Sequence, residues 1–261
     1  MIIPFSKYQG AGNDFIIVDN RILQWSPKQE EILRLCDRHF GIGSDGLMLL
    51  TEKPGFDFYM TYYNSDGRES TMCGNGGRCM TLFARSLGLV GSDARFSAID
   101  GQHVSVILNQ ESPVHIRLRM KEVEVDEIHP DHVFLDTGSP HYVIFSKDVA
   151  RMEIVPEARK IRFGDRFREN GTNIDFVEVF PDHLYVRSYE RGVENETLSC
   201  GTGVTASVLA VALTSGFHPT FMDVETPGGA LRVSFKQDGK FFTDVWLEGP
   251  VEFVFRGVVE V

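Results

Sequence analysis

Two cysteines occur in the same short motif in two distant parts of the chain. Cys73 begins CGNG and Cys200 begins CGTG, so both fit the pattern C-G-x-G. Each motif opens a helical sequence, which runs to Gly88 in the first case and to Gly216 in the second. A cysteine at a helix start lies beside backbone N–H groups that lack intrahelical partners and near the positive end of the helix dipole, which favours the thiolate. We therefore predict two reactive thiols at two helix N-termini.

Such a pair of thiols suits the inversion of a carbon centre. If both face one bound carbon, a thiolate on one side removes the α-proton while a thiol on the other side delivers a proton. The helix N-termini would hold the adjacent carboxylate as it gains negative charge. One C-G-x-G motif alone would be a weak signal, because a nearby cysteine is often inert packing. Two copies in matched contexts indicate a functional pair.

The other two cysteines have a structural interpretation. Four cysteines are too few and too scattered for a disulfide framework in a chain of 261 residues. Cys36 and Cys79 fall on predicted helices, where free cysteine commonly packs as a small apolar side chain. A redox pair of Cys73 with Cys79 would lack the C-x-x-C spacing.

The elements that must position the two thiols repeat as well. The segment NDFIIV from Asn13 can be superimposed on PHYVIF from Pro140, a turn running into a strand in both cases. We predict two copies of one unit, residues 1–112 and 113–249. The polar stretch 109–113 marks the boundary, and the last strand, 250–261, is assigned to the first half although its pattern fits either. Strands predominate, and the clearest runs are 15–18, 56–63, 104–108, 133–136 and 231–235.

One further helix is predicted before the first motif. Ser26, Pro27 and Gln29 form a capping-box sequence with proline at the first helical position. The apolar stripe would then consist of Ile32, Leu33, Cys36 and Phe40, and Gly41 would end the helix.

Composition excludes several classes of function. The formal charge of -11 without a basic segment argues against nucleic acid and anionic membranes as partners. We expect a cytoplasmic protein, since neither a signal-peptide pattern nor a long apolar run occurs. No P-loop, G-x-G-x-x-G unit or lysine in a pyridoxal phosphate context is found, and His129 and His132 lack further metal ligands in sequence. We therefore predict no cofactor and no metal.

Six segments together resemble one family, the diaminopimelate epimerases. They are KYQGAGNDF (7–15), DRHFGIGSDG (37–46), YNSDGRESTMCGNGGR (63–78), TGSPH (137–141), GTNIDF (171–176) and YERGVENETLSCGTG (189–203). The resemblance implies an α+β fold of two pseudo-symmetric domains, each a curved, mostly antiparallel sheet around a central helix, with the active site in the cleft between them. It also implies interconversion of LL- and meso-2,6-diaminopimelate without cofactor or metal, on the bacterial route to lysine and peptidoglycan. Dimer formation rests on the resemblance alone.

The resemblance also implies the site residues. Cys73 and Cys200 would be the catalytic thiols, and His141 with Glu190 would assist them or orient the substrate. The implied substrate-binding residues, which include the two helix-start anion sites, are Asn13, Asn64, Gly74, Asn75, Ser139, Asn173, Glu190, Arg191, Gly201 and Thr202. Arg191 could grip the distal carboxylate of the substrate.

Two positions depart from the family pattern. Ser139 stands where relatives often have asparagine, and Gly46 stands where some carry a glutamine that reaches the substrate.

The same residues leave two other functions as alternatives. One alternative is a two-cysteine racemase of proline or hydroxyproline, against which Arg191 and the asparagines argue. The other is a non-catalytic or dithiol redox protein that uses the same cleft; a silent relative should have lost one cysteine.

Overall fold

The computed structural model describes residues 1–125, 127–216 and 219–261. Strands make up most of its regular structure. They are β1 (Ile2–Gly10), β2 (Asn13–Asp19), β3 (Gly46–Thr51), β4 (Phe58–Asn64), β5 (Glu69–Ser70), β6 (Asp93–Ala98), β7 (Gly101–Ile107), β8 (Val114–Arg119), β9 (Val123–Glu124), β10 (Glu127–Ile128), β11 (His132–Asp136), β12 (Pro140–Phe145), β13 (Asn173–Val179), β14 (Leu184–Glu190), β15 (Asn195–Thr197), β16 (Phe221–Thr226), β17 (Gly229–Asp238) and β18 (Phe241–Glu260). The helices are α1 (Asn20–Leu23), α2 (Gln29–Cys36), α3 (Gly74–Ser86), α4 (Ile154–Arg162) and α5 (Gly201–Thr214), with a 3₁₀ turn at Val149–Arg151.

The chain forms two compact units, residues 1–118 with 249–261 and residues 119–248. In the first unit each of the strands β1 to β4 pairs with the next one along the chain, and β5 and β6 both pair with β4. Strand β7 then pairs with β6, and β8 pairs with β7. In the second unit β11 to β18 repeat that order, with β15 and β16 both on β14. Among the pairings of the described residues, two in each unit are parallel: β2–β3 and β4–β6 in the first, and β12–β13 and β14–β16 in the second. The predicted mostly antiparallel, pseudo-symmetric fold is confirmed.

Each unit contains one helix that is buried nearly all round. In α3, 10 of 13 residues are buried, and in α5, 11 of 14 are buried. A surface helix would expose a polar face, so these two are core helices within their own units. They begin directly after Cys73 and Cys200, as the sequence predicted.

The strand registers define which positions of the two units are equivalent. Phe15 pairs with Gly46 across β2–β3, and His141 pairs with Asn173 across β12–β13. Phe15 is therefore the counterpart of His141, whereas the sequence superposition had placed Asp14 there. That superposition was wrong by one residue, which in a strand moves every side chain to the opposite face.

Each of the five predicted strand runs coincides with a strand, apart from residues 56, 57 and 108, which lie just outside β4 and β7. The predicted helix at Ser26 was wrong at both ends. α2 begins at Gln29, because the Lys28 N–H donates to Glu31 Oε2 at 2.7 Å and the cap therefore lies at Lys28, two residues after Ser26. It ends at Cys36, because the Asp37 carboxylate accepts from the N–H groups of His39 and Phe40, both at 2.7 Å, and turns the chain. Ile32 and Cys36 are buried as predicted, whereas Leu33 and Phe40 of the predicted stripe are exposed. Among the described residues, no helix is long and apolar enough to cross a membrane.

Candidate active site

Cys73 caps α3 in the first unit. Its backbone is extended, with φ −88° and ψ 132°, while its carbonyl already accepts from the Gly77 N–H at 2.7 Å. The side chain is half-buried. The thiol therefore lies at the N-terminus of α3, whose first residue is Gly74 and whose first N–H groups have no acceptor within the helix.

Two predicted asparagines accompany this thiol. The Cys73 Sγ lies 3.6 Å from Asn13 Oδ1, and the Asn75 amide donates to the same oxygen at 3.4 Å. Asn75 is in turn oriented by the buried guanidinium of Arg78, which donates to Asn75 Oδ1 at 2.8 Å. The structure thus brings Asn13 and Asn75 together with Cys73.

A charged network behind Asn13 fixes the direction of its amide. Asp45 Oδ2 accepts from Asn13 Nδ2 at 2.5 Å and from the Asp14 N–H at 3.1 Å. Arg38 bridges Asp14 and Asp45 at 2.7 and 2.8 Å, and Lys7 pairs with Asp14 at 2.7 Å. Burial and the charge of Asp14 raise the pKa of Asp45, whereas Asp14 has a lowered pKa because hydrogen bonds from Arg38 and Lys7 outweigh its burial. Sequence reasoning missed Lys7, Arg38 and Asp45 as positioning groups, although all three lie in the matching segments.

Cys200 caps α5 in the second unit, with φ −111° and ψ 109°. Its Sγ lies 3.4 Å from the hydroxyl of Thr202, and only 6% of the residue is exposed. Burial, then the negative charges of Glu190 and Asp175, raise the pKa of Cys200 well above its usual value. The hydroxyl of Thr202 and the N–H of Gly203 act in the opposite direction but do not prevail. The helix start alone therefore does not decide the ionisation of this thiol, which the sequence left open.

Glu190 is the ionisable partner of Cys200. It ends β14 and accepts a short hydrogen bond from the Thr197 hydroxyl. Burial raises the pKa of Glu190, opposed by the hydrogen bonds from Thr197 and the Cys200 thiol. A thiol and a carboxyl that both resist ionisation make a site through which a proton can move.

His141 lies in a second hydrogen-bonded group of the same unit. The ring is fully buried, with Nδ1 at 2.6 Å from Asp175 Oδ2 and Nε2 at 3.4 Å from Asn173 Nδ2. Asn173 Oδ1 accepts from the Arg191 N–H at 2.8 Å. His141, Asn173 and the backbone of Arg191 are thus brought together, as three of the predicted residues. Asp175 was missed, since an aspartate inside a strand sequence has the pattern of a surface residue.

The remaining predicted residues lie at the ends of neighbouring elements. Asn64 ends β4 opposite Gly46, and Gly201 is the first residue of α5. Ser139 is half-buried, and its carbonyl accepts from the Thr137 N–H at 3.2 Å. The Arg191 guanidinium is on an exposed residue and donates to the carbonyl of Asn170 at 2.9 Å.

The last glycine of each motif is required by packing against the sheet. A Cβ on Gly76 would lie 2.8 Å from Met48 Cε, and one on Gly203 would lie 2.3 Å from Asp175 Oδ1. At Gly46 a Cβ would lie 2.5 Å from both the Tyr62 ring and the Tyr63 carbonyl oxygen. The departure at Gly46 therefore has a steric reason, since a longer side chain would meet Tyr62 and a fixed backbone oxygen.

Comparison with known proteins agrees with this arrangement. The model of the family "Diaminopimelate epimerase" matches residues 5–125 and 133–254. The chain belongs to the diaminopimelate epimerase family, whose members are isomerases. A diaminopimelate epimerase of Flavobacterium psychrophilum is 49% identical over 256 residues, covering 97% of this chain and 98% of the relative.

Solved structures at low identity share the fold of this diaminopimelate epimerase family member. A phenazine biosynthesis protein of the PhzF family from Bacillus anthracis is 18% identical with a TM-score of 0.78, covering 100% of both chains. A hydroxyproline epimerase from Agrobacterium vitis, solved with bound trans-4-hydroxy-L-proline, is 13% identical with a TM-score of 0.78, covering 99% of this chain and 92% of the other. At these identities the likeness concerns the fold alone.

Proposed function

We propose that this chain interconverts LL- and meso-2,6-diaminopimelate, with Cys73 and Cys200 as the two acid–base groups at one α-carbon and without a cofactor. The observation that carries the proposal is the equivalence of the two cysteines. Both cap the buried central helix of a unit, and the two units share one strand connectivity. Family membership supplies the substrate, because relatives nearly as long as this chain carry that name.

The reaction needs one base and one acid at each turnover. One sulfur, as thiolate, takes the α-proton and becomes a thiol, and the C–H electron pair passes into the carbon–carboxylate unit. The other sulfur, as thiol, gives its proton to the opposite face of that carbon and becomes the thiolate. Charge is conserved and the centre is inverted. The N–H groups of the first helical turns stabilise the carboxylate as it becomes enolate-like.

The two half-sites are suited to different starting roles. Burial, Glu190 and Asp175 raise the pKa of Cys200, so Cys200 begins as the proton donor. Cys73 then begins as the base, once its thiol has lost the proton that it donates to Asn13 Oδ1 at 3.6 Å. After one turnover the roles are exchanged, and Glu190 is the group through which Cys200 regains its proton.

The site would select diaminopimelate over a smaller amino acid by binding the distal end of the substrate. The substrate carries a second carboxylate and a second ammonium group, for which a guanidinium and amide side chains are matched partners. Asn64, Asn173 and Arg191 are the residues that we propose for this end, with Ser139 making a shorter contact than the asparagine of relatives. Proline and hydroxyproline have nothing to place there. We further propose that the reaction serves the bacterial route to lysine and peptidoglycan.

The test is substrate conversion by the purified, reduced protein. LL-diaminopimelate is incubated with the protein, and the two stereoisomers are separated chromatographically over time, with L-proline and trans-4-hydroxy-L-proline in parallel reactions. Formation of the meso isomer, with both cyclic amino acids unchanged, is expected. Racemisation of proline or hydroxyproline without conversion of diaminopimelate would instead assign the chain to the other substrate class.

A further inference from the structure

A buried carboxylate in the second unit affects the Cys200 thiol through its charge but neither gives nor takes a proton in the reaction described above. Asp175 lies on β13 with 0% exposure and accepts two hydrogen bonds, from His141 Nδ1 at 2.6 Å and from the Ser188 hydroxyl at 2.6 Å. Burying a carboxylate costs free energy unless its oxygens are hydrogen-bonded. Both oxygens of Asp175 have such a partner, so the group is built into the structure as an acceptor.

The hydrogen bonds around His141 fix which nitrogen carries the proton. Asn173 Oδ1 accepts from the Arg191 N–H at 2.8 Å, so the amide nitrogen of Asn173 is the atom that faces His141 Nε2 at 3.4 Å. An amide nitrogen is a donor only, and Nε2 must therefore be an acceptor. The Nδ1 atom then holds the proton and donates it to Asp175. Every member of the chain from Arg191 to Ser188 is satisfied in this one arrangement.

The equivalent positions of the first unit show that the fold does not require these groups. By strand register, His141, Asp175 and Ser188 correspond to Phe15, Met48 and Tyr62. Phe15 and Tyr62 make an edge contact at 6.0 Å between ring centroids, and Met48 lies under Gly76 as Asp175 lies under Gly203. The same architecture is thus filled with largely apolar side chains beneath the Cys73 helix and with an acid, an imidazole and a hydroxyl beneath the Cys200 helix.

We propose that Asp175, held by Ser188, is a positioning residue that keeps a proton of His141 on Nδ1, and thereby fixes the Asn173 amide in the Cys200 half-site. The part of this proposal that concerns turnover rests on the function proposed above, whereas the state of the ring does not. Asp175 also contributes to the raised pKa of the Cys200 thiol, which agrees with a role in preparing this half-site.

The state of the ring can be measured without substrate. The protein is labelled with ¹⁵N-histidine, and long-range ¹H–¹⁵N correlations distinguish a protonated from an unprotonated ring nitrogen. His141→Gln identifies the signal of His141 among the eight histidines. We expect Nδ1 protonated and Nε2 unprotonated at neutral pH. A wild-type ring that is protonated on Nε2, alone or with Nδ1, overturns the proposal, and this result needs no core variant to fold.

Three variants connect the ring with turnover. Asp175→Ala removes the acceptor and should shift the proton to Nε2, lowering kcat/KM about 10- to 100-fold, which is less than the roughly 10²–10⁴-fold contribution of an acid–base group itself. Asp175→Asn keeps an oxygen that can accept from Nδ1, so it should retain the wild-type ring state and recover part of the activity. Ser105→Ala, which removes a buried hydroxyl bonded to Thr81 at 2.7 Å in the first unit, is the matched control and should change neither readout.

The outcomes separate the two proposals. An unchanged ring state and unchanged kcat/KM in a folded Asp175→Ala protein overturn the positioning role. If the wild type fails to convert diaminopimelate but shows Nδ1 protonation that is lost in Asp175→Ala, the ring assignment stands and the proposed function fails.

Discussion

The carboxylate of Asp45 accepts a hydrogen bond from the amide nitrogen of Asn13 at 2.5 Å, so the amide oxygen of Asn13 is the atom that faces Cys73. Through Asn13, this contact connects the charged network of Asp14, Arg38 and Asp45 with the Cys73 thiol. Asp45 thereby sets the orientation of an amide at a reactive sulfur.

Replacing Asp45 should therefore impair the Cys73 half-site. Asp45→Ala removes the acceptor of Asn13 and should lower kcat/KM about 10- to 100-fold, since a hydrogen bond to a charged group contributes about 1.5–3 kcal/mol. Asp165→Ala is the control, because the side chain of Asp165 is 98% exposed and forms a surface ion pair with Arg168. Steady-state epimerisation rates measure the loss of activity, and thermal unfolding curves show whether each variant is folded. An Asp45→Ala protein that is folded and fully active would contradict the role of the contact.

The two motif glycines should respond differently to a methyl group. Gly203→Ala places Cβ 2.3 Å from Asp175 Oδ1, an atom held by other hydrogen bonds, whereas Gly76→Ala meets the flexible end of Met48 at 2.8 Å. We expect Gly203→Ala to lower the free energy of unfolding by about 1–3 kcal/mol, as overpacking commonly does. Gly76→Ala should lower the free energy of unfolding by a clearly smaller amount. Urea titrations of both variants give the comparison, and an equal or larger loss for Gly76→Ala would refute it.

Glu190 should make the protein less stable as the pH rises. Burial raises its pKa in the folded state, so the folded protein binds this proton more tightly than the unfolded chain does. Stability then falls as pH increases from the unfolded pKa through the folded pKa. Glu190→Gln removes this titration and should raise the free energy of unfolding relative to wild type at pH 8 but not at pH 4. A difference between the two proteins that does not vary with pH would exclude this cause.

The same variant should make the Cys200 thiol easier to ionise. The negative charge of Glu190 is the second contribution, after burial, to the raised pKa of Cys200. At a fixed pH near 8, iodoacetamide should therefore label Cys200 slowly in wild type and faster in Glu190→Gln, as followed by peptide mass spectrometry. Cys36, buried in the other unit, is the internal control and should label equally in both proteins. Slower labelling of Cys200 in Glu190→Gln would mean that the carboxylate assists its ionisation.

The sequence was sufficient for the elements that carry strong local patterns. The helices after Cys73 and Cys200 were predicted because an uninterrupted helical run follows a glycine-rich start and ends at glycine. The strand runs were predicted from β-branched and aromatic residues. The helix near Ser26 was placed too early because two overlapping capping sequences compete, and the Lys28–Glu31 contact prevails.

The features that the sequence did not predict depend on burial and on pairing between distant parts of the chain. The sequence could not show that His141 is the equivalent of Phe15, because the apolar run of β2 is nearly continuous and fits its counterpart almost as well one residue off. Nor could it show that Asp175 is enclosed, or that burial and two carboxylates raise the pKa of Cys200. These properties arise from side chains far apart in sequence.

The two-thiol mechanism is tested most directly by proton exchange in deuterated water. LL-diaminopimelate is incubated with wild type, Cys73→Ala or Cys200→Ala, and deuterium at the α-carbon is measured in product and in remaining substrate at low conversion. The account predicts that the meso product carries solvent deuterium while unreacted substrate retains its hydrogen, because the acid and the base are different sulfurs, and that either substitution abolishes inversion. A product that retains the original hydrogen, or a single-cysteine variant that still inverts the centre, would contradict it.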